Sequence, residues 1–255
     1  MRDGAGWALF LDFDGTLVEI AERPEAVVVE PGLTDTLAAL RHRLGGALAI
    51  VSGRAIATLD GFLAPFRFDA AGLHGVEQRI GGQLFPCRPE AHPALRQAIE
   101  ELPSRLPGHP GILIEDKGCS VGVHWRLAPE LDSEVIEVME ELATALGPDY
   151  RLQAGKAVAE ILPAHAAKGP AIARFLAQEP FRGRRAVFVG DDLTDEHGFA
   201  SVERLGGWTI KVGTGRTAAR YRLPDVAAVT RWLLAPIADA TPAAAPSTAQ
   251  RDVAD

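Results

Sequence analysis

Asp12 and Asp14 flank Phe13 at the end of an apolar run, and Gly15-Thr16 follow at once. One carboxylate placed to attack phosphorus, a second able to pass a proton, and a glycine turn exposing main-chain N–H groups would suit hydrolysis of a phosphate monoester. That reaction is very slow unaided and also needs positive charge around the phosphoryl group. Asp and Gly are equally ordinary turn residues, so the pentad alone does not decide. Two other stretches carry suitable groups after apolar runs. Ser52, Gly53 and Arg54 follow Ala47 to Val51, and Gly190-Asp191-Asp192-Leu193-Thr194-Asp195-Glu196 follows Ala186 to Val189. Asp12 and Asp191 in one site would repel unless a cation lay between them, and an all-oxygen set suits a hard divalent ion, best matched by Mg²⁺. Lys168, opening a helical stretch, could hold both a phosphate oxygen and the attacking carboxylate.

The elements that must position these groups read as an α/β fold. Trp7 to Phe13 suits a strand buried on both faces, and Leu33, Leu37, Leu40 and Leu44 recur at helical spacing before Gly45-Gly46. Ala47 to Val51 is a second buried strand, followed by a helix over 55–63. The alternation returns with a helix over 168–178, a strand over 186–189 and another over 208–212. This predicts a doubly wound, Rossmann-like parallel-sheet core with ligands at the carboxyl ends of its strands. The middle differs: alternating runs over 76–85, 112–126 and 150–161 are separated by helical patterns near 90–105 and 130–146. An inserted α+β cap domain is therefore expected over 78–164, splitting a core of 1–77 and 165–235. The Ala/Pro-rich tail, 236–255, is expected to be disordered.

The chain has 255 residues, is 47% hydrophobic and carries a net charge of −8. It can bury a full core, and the acidic balance without a basic cluster disfavours nucleic acid. No apolar stretch is long enough to span a membrane. Cys87 and Cys119 are too few for a disulfide scaffold and are expected as free thiols in the cytoplasm.

Taken in order, Asp12-Phe13-Asp14-Gly15-Thr16, Ser52, Lys168 and Gly190-Asp191-Asp192 resemble the four motifs of the haloacid-dehalogenase-like phosphotransferase superfamily. The resemblance implies Asp12 as nucleophile, Asp14 as general acid and then base, and Thr16, Ser52 and Lys168 as phosphate ligands. It implies Mg²⁺ held by Asp12, the Asp14 main-chain carbonyl and Asp191, with Asp192 and Asp195 acting on its waters.

Further stretches are similar to the trehalose-6-phosphate phosphatases: Ser52-Gly53-Arg54, Ala71 to Glu77, Glu115 to Gly118 with His124 and Arg126, and Lys156 to Glu160. Strand alternation puts Glu115 with Lys117, and His124 with Arg126, on common faces. The resemblance implies Glu115, Lys117 and Glu160 as hydroxyl-binding residues, with His124 and Arg126 beside them. Gly53, Arg54 and Lys156 are expected at the phosphate or in closure. His74 is a candidate for substrate contact or, with Glu77, for a hinge. The implied activity is hydrolysis of a small sugar phosphate, trehalose 6-phosphate, through an aspartyl-phosphate; the oligomeric state is left open, with a monomer favoured. Another capped sugar phosphatase, acting for example on sucrose 6-phosphate, and a non-catalytic sugar-phosphate sensor are the alternatives.

Overall fold

The computed structural model describes residues 6–106 and 108–235, so the expected tail lies outside them. The first strands are β1 (Trp7–Leu11), β2 (Leu48–Val51), β3 (Asp69–Gly72), β4 (Glu77–Ile80) and β5 (Gln83–Phe85). A second group follows: β6 (Leu113–Asp116), β7 (Val121–His124), β8 (Tyr150–Gly155) and β9 (Val158–Pro163). The last are β10 (Arg185–Gly190), β11 (Trp208–Val212) and β12 (Tyr221–Leu223). The helices are α1 (Leu33–Arg43), α2 (Ile56–Phe62), α3 (Pro93–Arg105), α4 (Asp132–Leu146), α5 (Lys168–Leu176), α6 (Leu193–Arg204) and α7 (Val226–Leu234).

One eight-stranded sheet has the order β12-β11-β10-β1-β2-β3-β4-β5. Its pairings from β12 to β3 are parallel. Side-chain alternation assigns the helices to faces. Leu9 and Leu11 pack with Ile50, Val187 and Val189 among α1, α2 and α7, through Leu37, Leu59 and Val229. Ala8 and Phe10 turn the other way, with Ala49 and Phe188, onto Ile172, Phe175 and Phe199 of α5 and α6. The chain winds in opposite directions on either side of β1 and β10. The crevice at their carboxyl ends is the place where such sheets bind ligands.

The expected boundary at residue 78 falls inside this sheet. β4 pairs antiparallel with β3, and β5 with β4, so the hairpin extends the core sheet. Its alternating pattern fits either sheet; burial decides. Ile80 joins the apolar face, while the Arg79 guanidinium binds both Asp60 oxygens at 2.8 and 2.6 Å and the Phe68 carbonyl. Phe85 lies opposite Gln78, whose amide donates to the Ala171 carbonyl of α5 at 3.2 Å. The chain thus leaves this sheet one strand away from the helix on which it returns.

Between those points lies a four-stranded antiparallel sheet, β6-β7-β9-β8. Val121, Val123, Ala159 and Ile161 face α3 and α4, where Leu95, Leu102, Val135 and Met139 complete a separate core. The pairing register places Glu115, Gly122, Glu160 and Gln153 in one row across the opposite face. That face closes over the carboxyl end of the larger sheet. Both cysteines are free thiols, and burial with the neighbouring Cys87 thiol pushes Cys119 up to about 12.

Candidate active site

The ends of β2, β1, β10 and β11 present Ser52, Asp12, Asp191 and Lys211 in sequence across the sheet. Asp12 is 4% exposed, and Lys168, from the first turn of α5, donates to its Oδ1 at 2.7 Å. The same ammonium donates to Asp195 Oδ1 at 2.7 Å. Burial opposes the charge on Lys168, but Asp12 and Asp195 outweigh it and hold its pKa well above the ordinary lysine value. Burial pushes Asp12 up to about 7, opposed by Lys168 and reinforced by Asp191 and Asp192. Burial, with Asp192 and Asp195, pushes Asp191 to about 7 as well.

The carboxylates of Asp12, Asp191 and Asp195 offer oxygens that lie within 4.8 Å of one another. Two acids raised toward neutrality, Asp12 buried and Asp191 half-buried, mark a site where negative charge is under-compensated, and a hard cation would relieve it. The backbone is shaped to this cluster. Gly15 adopts φ +75°, and a Cβ there would fall 2.3 Å from Asp191 Oδ2, so only glycine allows the turn to lie against that carboxylate. Asp195 is fully buried; its Oδ2 accepts the main-chain N–H groups of Asp191 and Asp192 at 3.0 and 3.1 Å and fixes the loop.

Three of the expected residues stand outside the close triad. Asp192 is outside the close triad, because its Oδ1 caps α6 by accepting from Thr194 N, Thr194 Oγ1 and Asp195 N. Burial opposes its ionisation, but Lys168 and these hydrogen bonds prevail and hold it at about 2. The Asp14 carboxylate also lies outside the triad. Arg54 binds it through two hydrogen bonds of 2.7 Å while donating to the Pro24 carbonyl. Thr16 is fully buried behind the cleft, its hydroxyl 3.3 Å from Asp12 Oδ2.

The other expected residues line one cleft of about 610 Å³. Asp12, Asp14, Ser52, Gly53, Arg54, Lys168, Asp191 and Asp192 form its floor, with His74 at the side. Its roof carries Glu115, Lys117, His124, Arg126, Lys156 and Glu160. His124 Nε2 is 2.9 Å from Glu115 Oε2, and Lys117 donates to Glu160 Oε2 at 3.0 Å and to the Gly53 carbonyl at 3.3 Å. Arg126 donates to the Ala21 carbonyl of the larger unit and to the Lys156 carbonyl at 3.1 Å. Burial would raise Glu160, but Lys117 and hydrogen bonds from His74 and Ser120 carry it below the ordinary carboxylate range. Glu77 stays out of the cleft: its Oε1 accepts from Ile56 N at 2.6 Å at the start of α2.

Sequence patterning alone left out Lys211, Glu196 and Gln153 as cleft residues. Lys211 donates to the Asp191 main-chain carbonyl and lies 3.7 Å from Glu196 Oε1. Its position at the end of an apolar strand is the same signal that singles out Asp12 and Ser52. Gln153 has no local mark; it enters through the cross-strand register with Glu160.

A crevice of acids with Lys168 and Lys211 at the switch point of a doubly wound sheet, roofed by an inserted sheet, defines a haloacid-dehalogenase-like phosphoric monoester hydrolase. A haloacid dehalogenase-like hydrolase from Bacteroides thetaiotaomicron has the same fold, with a TM-score of 0.60 at 15% identity over 88% of this chain and 98% of that one. Residues 10–227 match the trehalose-phosphatase family, and the chain belongs to it. It is 48% identical to a probable trehalose-phosphate phosphatase of Sinorhizobium fredii, over 81% of this chain and 78% of that protein. It is also 42% identical to the trehalose-6-phosphate phosphatase of Escherichia coli, over 90% and 86% of the two chains.

Proposed function

We propose that this chain is a cytoplasmic, monomeric, Mg²⁺-dependent enzyme that hydrolyses trehalose 6-phosphate to trehalose and phosphate. The observation that carries the proposal is the cleft itself: a floor of carboxylates with Lys168 and Lys211 faces a roof of polar and charged side chains. Those two halves suit the two halves of a sugar phosphate. Asp12, Asp191 and the main-chain carbonyl of Asp14 would hold the metal, with Asp195 bracing them through Lys168 and the loop N–H groups. The oxygen-only donor set fits Mg²⁺, which when bound supplies positive charge to the phosphoryl oxygens and lowers the charge on the acids.

One oxygen of Asp12 attacks phosphorus while the bond to the sugar oxygen breaks, and Asp14 gives that oxygen its proton. An aspartyl-phosphate remains. Asp14 then takes a proton from water, whose oxygen attacks phosphorus, so that inorganic phosphate leaves and Asp12 is restored. Lys168 keeps Asp12 oriented and, with Ser52, Gly53, Arg54 and Lys156, meets phosphate oxygens. Asp14 must leave the Arg54 fork to reach the leaving group. Glu115, Lys117, His124, Arg126 and Glu160 hold the sugar and exclude water. Two free cysteines suit a reducing compartment.

The test is phosphate release from a panel of trehalose 6-phosphate, sucrose 6-phosphate and glucose 6-phosphate, with Mg²⁺ and with excess chelator. Trehalose 6-phosphate should lead the panel and the chelator should abolish turnover. Preference for another member would refute the substrate, and undiminished turnover in chelator would refute the metal.

A further inference from the structure

The segment after β3 is conformationally costly. Leu73, His74 and Gly75 take φ of 50°, 55° and 100° in succession, and for the two non-glycine residues this left-handed geometry is strained. Strain of this kind persists only where surrounding structure enforces it. Here it carries the His74 ring over Gly53, where a Cβ would sit 2.6 Å from Nε2, while the His74 N–H donates to the Ser52 carbonyl at 3.0 Å. The ring is 8% exposed. Its Nε2 lies 3.4 Å from Glu160 Oε2, across the junction between the two sheets.

Glu160 has three donors: Ser120 at 2.7 Å on Oε1, and Lys117 at 3.0 Å with His74 on Oε2. Ser120 and Lys117 belong to the turn between β6 and β7, so among the described residues His74 is the only side chain of the larger unit bonded to Glu160. The adjacent Lys117 contact ends on the Gly53 carbonyl. Both crossings therefore converge on the loop that carries Ser52. The Glu160 carboxylate accepts from Nε2, the Gln153 amide nitrogen lies 3.4 Å from the same atom, and Nδ1 is left buried without a partner. A ring kept in a strained turn with one orphaned nitrogen is held for what its other nitrogen meets, and both neighbours of that nitrogen, Glu160 and Gln153, belong to the smaller sheet.

We propose that His74 is a positioning residue that couples the Ser52–Gly53 loop to Glu160, so that the smaller sheet brings Glu160 to the sugar only when that loop is in its phosphate-binding conformation. This rests on Glu160 facing the sugar, as in the function proposed above. His74 acts through Glu160, and its own contact with substrate is not required.

Two amide replacements separate coupling from backbone tolerance. Asn accepts left-handed backbone well but ends short of Nε2, whereas Gln fits that backbone less well but returns an N–H to the Nε2 position. The measurement is kcat/KM for a sugar phosphate that the wild type cleaves and for a small aryl phosphate, in wild type, His74→Asn, His74→Gln, Glu160→Ala and the double variant His74→Asn/Glu160→Ala. Loss of a hydrogen bond to a charged group predicts an about ten- to hundredfold fall for His74→Asn on the sugar phosphate alone, with His74→Gln recovering most of it. In the Glu160→Ala background His74→Asn should have little further effect. The coupling is refuted if Asn equals or surpasses Gln, if both substrates fall in parallel, or if the two losses multiply. A wild type that cleaves a different sugar phosphate would overturn the substrate and leave this comparison standing on the one it does cleave.

Discussion

Replacing Gly15 by alanine tests whether the turn after Asp14 is shaped by the acid cluster or merely tolerates it. The added Cβ would meet Asp191 Oδ2 at 2.3 Å and Cγ at 2.4 Å, where ordinary contact begins near 3.4 Å. Turn or carboxylate must then move by about 1 Å, a displacement that can cost about a hundredfold in rate. The backbone adds its own penalty of about 1–2 kcal/mol, because φ is +75°. Gly32 is the matched control: its φ is +86°, and a Cβ there meets nothing within 4 Å. Gly32→Ala should therefore lose only the backbone term, lowering Tm by about 2–4 °C per kcal/mol, and keep wild-type kinetics. Gly15→Ala should lose about a hundredfold in kcat/KM and need more Mg²⁺ for half-maximal activity. The assay is phosphate release across a Mg²⁺ titration, beside thermal unfolding of both variants. If Gly15→Ala differs from Gly32→Ala in neither rate nor Mg²⁺ requirement, the cluster does not depend on this close approach and the reasoning fails.

Asp12→Asn should abolish turnover while leaving the fold intact, since an amide keeps the shape without the attacking charge; more than about a hundredth of wild-type activity would exclude Asp12 as nucleophile. Asp14→Asn should slow sugar phosphate hydrolysis far more than aryl phosphate hydrolysis, because a phenolate leaves without a proton. Equal losses would remove Asp14 from the acid role. Glu160 is held below the ordinary carboxylate range despite its burial, chiefly by Lys117. Its ionisation therefore stabilises the fold above the pKa of an unfolded glutamate, about 4.3, and that stability is lost as pH falls toward the lower folded value. Denaturant unfolding of wild type and Glu160→Gln between pH 3 and 7 should show a steeper acid loss in the wild type, and identical slopes would contradict the assignment.

The catalytic end of the fold was legible because its signals are local. An apolar strand ending in Asp12, or in Ser52, states both its burial and the position of its last residue. Lys168 could be read from its place at a helix start together with the ordered motifs. What escaped depends on pairing between distant segments. The hairpin of β4 and β5 alternates as a strand should, yet nothing in its residues says which sheet it joins; Arg79 settles that by reaching Asp60 and Phe68. Gln153 enters the cleft through its register with Glu160, and Asp192 is diverted to capping α6 by Thr194 and Asp195. Such preferences appear only when the partners have been brought together.

The stitch between β4 and α5 has a consequence for the chain as a polymer. Phe85 pairs with Gln78, and Gln78 donates to Ala171, so the roughly 80 residues between exit and return form a loop whose ends the larger sheet already holds together. Closure entropy grows only logarithmically with length, so a longer or shorter insert would change stability by about a kilocalorie or less. The cleft's roof, Lys156 included, comes from that loop, and Asp12, Asp14, Ser52, Lys168 and Asp191 come from outside it. Exchanging the segment between Pro86 and Ala167 should thus re-aim the catalyst at a different alcohol while its phosphate chemistry stays in place. Under the function proposed above, the choice of substrate is then a replaceable cassette.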